Sequence, residues 1–339
     1  MEKWWKIKDS GDPGEIKHLS EVLNIDKVLS GLLVSRGINS FEKAKLFFRP
    51  QLSDLYDPFL MKDMDKAVER IQRAISNKEK ILVYGDYDVD GTTSVALVYS
   101  FFSEFYSNLD YYIPHRYSEG YGISYKGIDS AIENGQTLVI ALDCGIKAVE
   151  KIKYANQNKI DFIICDHHYP GDTIPEAYAV LDPKRNDCTY PFKNLSGCGV
   201  GFKLIQAFAQ NNHIAFERVV PYLDLVAVSI ASDIVQLTDE NRILAYYGLQ
   251  QLNVSPRTGL KAIIKIAGME GCSLTIDDVV FKIGPRINAA GRIESGKKAV
   301  ELLVADDDKN AFELGTRINS YNQRRKNIDN SITQEALEM

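Results

Sequence analysis

Four short apolar segments of the sequence are each followed at once by residues that can bind metal ions. Segment 81–84 precedes GDYDVDG, segment 138–142 precedes DCG, segment 161–165 precedes DHH, and segment 179–181 precedes DP. The carboxylates and imidazoles at these positions are Asp86, Asp88, Asp90, Asp143, Asp166, His167, His168 and Asp182. One aspartate after a strand is more often a turn residue or a cap. Four successive strand ends that all supply ligand types instead indicate a site.

Such a set of acids requires a compensating charge. If the four segments are parallel strands, their loops meet at one edge of the sheet, where several carboxylates cannot stay ionised without compensation. Carboxylates with one or two imidazoles suit Mn²⁺ or Mg²⁺ better than zinc. Asp233 interrupts the apolar stretch LVAVSIASDIVQL, where a carboxylate seldom lies without a partner. Asp233 is therefore either a helix cap or, in our interpretation, a further metal ligand.

The elements that must position these residues are predicted from hydrophobic patterns. Short, wholly apolar strands that alternate with amphipathic helices are typical of a parallel sheet covered on both faces. Ligands bind such sheets at the carboxyl ends of the strands. Segment 111–114 is a candidate fifth strand, and the periodicity over 19–37 predicts a helix that stops at Gly37. The expected fold class is α/β, with a parallel sheet flanked by helices, a mostly helical subdomain and a long connector helix.

We predict four segments along the chain. These are a helical amino-terminal segment 1–78, an α/β domain 79–198, a helical part 199–305 and a connector helix 306–339. The connector carries an apolar stripe formed by Leu314, Ile318, Tyr321, Ile328 and Ile332. A stripe of this kind is expected to pack against a further part of the protein.

Composition limits the class of protein. The chain has 339 residues, of which 45% are hydrophobic and 25% charged, as expected of a globular protein with more than one lobe. It has no signal-peptide pattern and no run near the roughly 20 apolar residues of a membrane span, so we expect a cytoplasmic protein without membrane contact. Five cysteines without a C-x-x-C pair indicate free thiols. The net charge of −6 is unusual for a nucleic-acid binder, unless the acids gather where metals neutralise them.

The motifs resemble those of a known superfamily. GDYDVDG, ALDCG, CDHH and SIASDIV resemble, in order, the four motifs of the DHH phosphoesterases. HRYSEGYGIS, LSGCGVGFKL and KIGPRINAAGR resemble the RecJ branch in particular. The resemblance implies a 5′ to 3′ exonuclease that hydrolyses single-stranded DNA in repair and recombination. It also implies that a single-strand-binding protein is a candidate partner. RecJ-like enzymes continue into a DHH-associated domain and commonly an OB-fold, so we expect this chain to be truncated and to bind DNA weakly.

The resemblance also implies roles for individual residues. Two Mn²⁺ or Mg²⁺ ions would be held by Asp88, Asp90, Asp143, His167 and Asp233. Asp90 and Asp143 match the bridging positions and are expected to be catalytic, together with His168, which matches a histidine beside the scissile phosphate. Asp86 is a possible ligand or a support for the ligands. Tyr84 stands where many relatives carry histidine, which leaves the ligand set of one ion open.

Phosphate contacts are expected from polar residues within the RecJ-like stretches, namely Arg116, Lys203, Arg286, Asn288 and Arg292. Each could instead be a surface charge. Gly197, Gly199 and Gly201 either let the backbone approach a phosphate or permit a tight helix entry.

Two other functions remain open at this point. A small-substrate DHH phosphoesterase would cut short oligonucleotides or cyclic dinucleotides, and a non-catalytic DHH module would serve as a scaffold. The RecJ-like stretches favour the exonuclease, and the presence of every motif acid disfavours the scaffold.

Overall fold

The computed structural model describes Trp4 and residues 11–338. The chain forms two compact units that divide between Leu55 and Tyr56. The sequence placed this boundary after residue 78. The difference arises because helix Met64–Ser76 packs against a strand and a helix of the second unit.

In the described part of the first unit the α-helices are α1 (Pro13–Leu23), α2 (Lys27–Val34) and α3 (Phe41–Phe48). The continuous helix predicted over 19–37 is interrupted. Asn24 adopts a left-handed conformation with φ of 52°, and the Asp26 side chain caps α2 by accepting from the Val28 amide at 2.7 Å. These two residues favour caps and turns over helix interiors, which the hydrophobic period alone does not reveal.

The second unit is built on five strands, which are β1 (Lys80–Gly85), β2 (Leu109–Tyr112), β3 (Gln136–Leu142), β4 (Asp161–Cys165) and β5 (Ala179–Leu181). Its helices up to the last strand are α4 (Met64–Ser76), α5 (Val89–Ser103), α6 (Tyr125–Glu133) and α7 (Val149–Gln157). The later helices are α8 (Gly197–Asn211), α9 (Leu223–Ser232), α10 (Asp239–Val254), α11 (Thr258–Ile266), α12 (Ile276–Asp278), α13 (Gly284–Ile293), α14 (Gly296–Leu303) and α15 (Asp308–Glu338).

All strands of the sheet are parallel, in the order β2-β1-β3-β4-β5. Alternate residues of the strands form one apolar core with residues of α6 and α7. The helices α4, α5 and α8 also pack against the strands. The predicted α/β class is confirmed, including the fifth strand. Neighbouring strands β1, β3, β4 and β5 end side by side, so the acids that follow them share one edge.

The helical half of the unit follows the sheet. A π-helical turn at Val279–Ile283 leads into α13, and α11, α13 and α14 pack against the connector α15. The connector buries Ala311, Gly315, Ile318 and Asn322, whereas its later apolar residues are exposed. Among the described residues, no helix is both long enough and apolar enough to cross a membrane.

Lys203 was expected to contact phosphate, and the structure corrects this expectation. The side chains of Lys203 and Glu240 are fully buried, and Lys203 Nζ lies 2.6 Å from Glu240 Oε1. Lys203 Nζ also donates to the Tyr56 carbonyl, while the Tyr190 hydroxyl donates to the other Glu240 oxygen. A buried cation already satisfied by these partners has no surface to offer a substrate. Lys203 instead joins α8 to α10.

Replacing Lys203 with Met should therefore destabilise the fold by about 3 to 5 kcal/mol, because the Glu240 carboxylate is left buried without its cation. Urea unfolding gives this free energy. The double variant Lys203→Met/Glu240→Gln should be more stable than Lys203→Met alone, since it removes the uncompensated charge. A Lys203→Met variant within about 0.5 kcal/mol of the wild type would contradict the structural role.

Candidate metal centre

Three carboxylates surround one imidazole nitrogen at the carboxyl edge of the sheet. His167 Nε2 lies 3.1 Å from Asp143 Oδ1, 3.7 Å from Asp90 Oδ2 and 3.7 Å from Asp233 Oδ2. Asp143 follows β3 and His167 follows β4, whereas Asp90 lies in the first turn of α5 and Asp233 ends α9. The structure thus brings together four of the five predicted metal ligands. The ligand atoms of Asp90, His167 and Asp233 lie within 4.8 Å of one another, as do those of Asp143, His167 and His168, so each of these groups could hold an ion.

The protonation of His167 suits a metal ligand. Its Nδ1 lies 3.0 Å from the Leu195 carbonyl oxygen, which can only accept, so Nδ1 carries the proton. Burial lowers the pKa of His167, which favours the neutral ring with a lone pair on Nε2. This nitrogen and Asp143 Oδ1 are both buried without a hydrogen bond. Two orphaned ligand atoms facing each other fit a divalent cation between them.

The pKa shifts of the carboxylates in the cluster also favour a bound divalent cation. Burial, followed by repulsion from Asp90, raises the pKa of Asp143 well above its usual value. The same two causes raise the pKa of Asp233 to about 7, although 29% of its side chain is exposed. Burial also raises the pKa of Asp88. A bound cation would favour the ionised forms of all three carboxylates.

Asp90 is held by the beginning of α8. Its carboxylate accepts from the backbone amides of Gly197 at 2.7 Å and Cys198 at 2.8 Å. Ser229 Oγ lies 2.7 Å from Asp90 Oδ1. A Cβ at Gly197 would come within 2.6 Å of the Asp143 Cβ, so only glycine permits this approach. Of the two interpretations of the glycine-rich stretch, the structure supports the tight helix entry, because the helix start binds a carboxylate of the protein.

Asp86 and Asp88 both shape the loop after β1. Asp88 Oδ1 accepts from the Gly91 amide at 2.9 Å and caps α5. Asp86 is fully buried, and its two oxygens accept from the amides of Tyr87 at 2.6 Å and Gly122 at 2.8 Å. Asp86 supports the loop that carries Tyr121 and, unlike Asp88 and Asp90, does not line the cavity beside the cluster. This geometry favours the supporting role for Asp86 over direct ligation.

His168 is oriented by the buried carboxylate of Asp166, which the family resemblance did not include among the metal ligands. Asp166 Oδ1 lies 2.7 Å from His168 Nδ1, and Asp166 Oδ2 accepts from the Ile146 amide at 2.9 Å. The hydrogen bond to Asp166 raises the pKa of His168. The far nitrogen, Nε2, lies 3.5 Å from the Tyr121 hydroxyl. His168 can therefore hold a proton beside the carboxylates. The sequence feature that points to Asp166 is its position directly after β4.

Predicted cationic residues line one side of the site. Arg116 and Arg292, with Asn288, line a cavity of about 260 Å³ together with Asp88, Asp90 and Asp233. The Arg116 guanidinium lies 4.8 Å from the centroid of the Tyr87 ring.

Arg286 does not line this cavity. Its Nε donates to Asn319 Oδ1 at 3.0 Å and its Nη1 donates to the Lys282 carbonyl at 2.6 Å. These contacts tie Arg286 to α15, so the geometry supports a phosphate contact for Arg116, Asn288 and Arg292 but not for Arg286.

Comparisons with known proteins agree with this geometry. Residues 80–230 match the model of the DHH family amino-terminal domain. A solved structure of exonuclease RecJ bound to manganese is 30% identical, with a TM-score of 0.77, and the match covers 85% of this chain and 71% of that one. The chain belongs to the RecJ family of DHH proteins. A second RecJ structure, from Thermus thermophilus and in complex with Mn²⁺, is 26% identical with a TM-score of 0.83, covering 97% of this chain and 47% of that one.

Curated RecJ relatives are considerably longer than this chain. The single-stranded-DNA-specific exonuclease RecJ of Bacillus subtilis is 42% identical over 335 residues, which are 99% of this chain and 42% of the relative. The RecJ of Escherichia coli is 35% identical over 322 residues, covering 91% of this chain and 55% of the relative. The chain thus spans about half the length of these curated relatives.

Mn²⁺ should stabilise the folded chain, because it binds the clustered carboxylates of the native state only. At about 100 times its Kd the ion should add about 2.7 kcal/mol, seen as a rise in Tm of several degrees by calorimetry. Asp143→Ala should abolish most of this rise, whereas Asp172→Ala, which removes an exposed acid, should not. An equal rise in both variants would place the ion elsewhere.

Asp166→Asn should lower the pKa of His168 toward its ordinary value, because the ring loses its anionic partner. In the wild type the hydrogen bond to Asp166 keeps the ring cationic to higher pH. In the variant the ring would lose its proton at lower pH. NMR titration of the imidazole C–H signals in the metal-free protein measures this change, with His18 as the internal control. An unchanged His168 titration would show that Asp166 does not set its proton affinity.

Proposed function

We propose that this chain hydrolyses phosphodiester bonds of single-stranded DNA, as a metal-dependent 5′ to 3′ exonuclease. The observation that carries the proposal is the packing of three carboxylates around His167 Nε2, directly beside a cavity lined by Arg116 and Arg292. Ligands for a cation and donors for a phosphate thus share one site. The curated RecJ relatives, which are named single-stranded-DNA-specific exonucleases, support the choice of substrate.

The proposed cofactor is Mn²⁺ or Mg²⁺, with two ions for each site. Oxygen-rich ligand sets suit these cations, and RecJ relatives have been solved with each of them. Asp88, Asp90, Asp143, His167 and Asp233 would hold the ions, with Asp90 and Asp143 shared. When bound, divalent ions supply a nucleophile at neutral pH and neutralise charge on phosphoryl oxygens.

The residues of the chain contribute position and charge. Arg116 and Arg292 bind the anionic phosphate, and Asn288 adds a hydrogen bond. His168, held through Nδ1 by Asp166, presents a proton from Nε2 to negative charge that develops on the substrate. Tyr121 limits the rotation of this ring, since its hydroxyl lies 3.5 Å from Nε2.

An exposed aromatic side chain beside the site supports the preference for single strands. Tyr117 is 76% exposed, and its hydroxyl donates to the carbonyl of Arg292 at 3.0 Å. A ring held beside a phosphate-binding arginine can stack on an unpaired base, which a duplex does not offer. Roles in repair and recombination, a single-strand-binding protein partner and a cytoplasmic location remain predictions from the family resemblance.

Digestion of 5′-labelled single-stranded DNA with Mn²⁺ tests the proposal. We expect labelled mononucleotide from the single strand and little from its duplex. Asp143→Ala should lower the rate by at least about a hundredfold, because it removes a ligand proposed to serve both ions. Asp172→Ala is the matched control and should cut normally.

Other outcomes would favour the alternatives. Cleavage of a dinucleotide alone would identify a small-substrate phosphoesterase. Absence of any cleavage despite bound Mn²⁺ would contradict an exonuclease activity of this chain, and Mn²⁺ binding too weak to measure would favour the scaffold.

A further inference from the structure

A second cavity adjoins the metal centre on the side of the connector helix. Its volume is about 320 Å³, and it shares Val89, Ser232, Asn288 and Arg292 with the first cavity. Arg325 of α15 adds a second guanidinium to its lining, which contains no acidic residue. The cavity is thus continuous with the site where phosphate chemistry is proposed, and its charged lining residues are Arg292 and Arg325.

Two buried polar atoms in this lining lack a hydrogen-bond partner, Arg325 Nε and Ser232 Oγ. The other nitrogens of Arg325 are engaged, because Nη1 donates to Asp329 Oδ2 at 2.7 Å and Nη2 lies 3.5 Å from Asn322 Oδ1. These contacts hold the guanidinium on its own helix and leave the buried Nε without an acceptor. A buried donor without an acceptor is unfavourable. A ligand that supplied an acceptor in this cavity would therefore be favoured.

The lining of the cavity also contains the apolar residues Ile234, Val280 and Pro285. Ile234 follows the metal-ligand candidate Asp233, adopts φ of 58° and is 90% exposed. A β-branched residue rarely adopts this left-handed conformation. The conformation places an apolar side chain at the rim of the cavity instead of in a core. Apolar residues of this type suit the sugar and base of a nucleotide, whereas the arginines suit its phosphate.

We propose that this cavity is a second nucleotide subsite, in which Arg325 and Ser232 donate to an internal phosphate of the strand next to the nucleotide at the metal centre. The sugar and base of that nucleotide pack on Ile234, Val280 and Pro285. The inference rests on the proposed function, since it assumes that the metal centre acts on a nucleic-acid strand.

Equilibrium binding of a fluorescent single-stranded oligonucleotide, measured by anisotropy with Ca²⁺ in place of Mn²⁺, tests the subsite. Arg325→Gln should weaken binding about tenfold, because one charge-assisted contact is lost. It should also reduce the slope of log K against log salt by about 0.7, the value for one phosphate contact on a single strand. Ser232→Ala should weaken binding about threefold.

The matched control is Arg324→Gln, which removes the neighbouring charge on the same helix. Arg324 is exposed and does not line the cavity, so its loss should leave affinity nearly unchanged. Circular dichroism melts of all three variants report whether the fold is kept. Equal affinity of Arg325→Gln and Arg324→Gln would overturn the subsite.

Neutral methylphosphonate linkages, placed one at a time, locate the phosphate. One internal position should weaken binding by the wild type but not by Arg325→Gln. The effect of Arg325→Gln should be the same for 5′-phosphorylated and 5′-hydroxyl strands. An effect confined to phosphorylated strands would assign the arginine to the terminal phosphate and overturn the internal assignment.

A calorimetric titration with deoxyadenosine monophosphate separates this inference from the proposed exonuclease. The subsite predicts binding that Arg325→Gln weakens, whether or not the chain cuts DNA. If the chain bound deoxyadenosine monophosphate in this way but did not cut DNA, the proposed function would be wrong and the subsite would stand. If the wild type cut DNA but Arg325→Gln changed the binding of neither the oligonucleotide nor the mononucleotide, the subsite would be wrong and the proposed function would stand.

Discussion

Asp90 connects the sheet and the helical half of the second unit through one carboxylate. It lies in the first turn of α5, accepts two amides at the start of α8, and lies within hydrogen-bond distance of Ser229 in α9. The helices that pack on the sheet and those of the helical half therefore meet at a buried negative charge. An isolated carboxylate in such a place would be unfavourable, and the partial positive charge of the α8 terminus compensates it. This anchoring also sets the distances from Asp90 to His167 and brings Asp233 within reach.

The same crowding that suits a cation makes the metal-free cluster unfavourable. Asp143 and Asp233 both have raised pKa values because they are buried near other acids. The surrounding hydrogen bonds fix the direction of each ligand but leave Asp143 Oδ1 and His167 Nε2 without partners. A bound divalent ion would give both atoms a partner and stabilise the folded chain, which links metal binding to folding.

The net charge of −6 is compatible with a phosphate-binding face because some basic residues serve the fold while others line the site. Arg70, Arg185 and Lys203 have largely buried side chains paired with carboxylates, so they serve the fold. Arg116 and Arg292 instead line the cavity beside the metal cluster. Local placement of a few guanidinium groups, rather than overall charge, provides the attraction for a phosphate.

The sequence by itself determined the parallel strands and the acids at their carboxyl ends, because apolar strand patterns and the residues that directly follow them are local properties. This was sufficient to predict the α/β class and candidate ligands at the strand ends, whereas the set Asp88, Asp90, Asp143, His167 and Asp233 was implied by the resemblance to the DHH phosphoesterases. Only the tertiary structure decided which partner each polar side chain meets. Lys203 meets Glu240, Asp166 orients His168, and Arg325 faces the cavity from a helix far along the chain. Such pairings depend on packing between elements distant in sequence, which residue types and spacing do not specify.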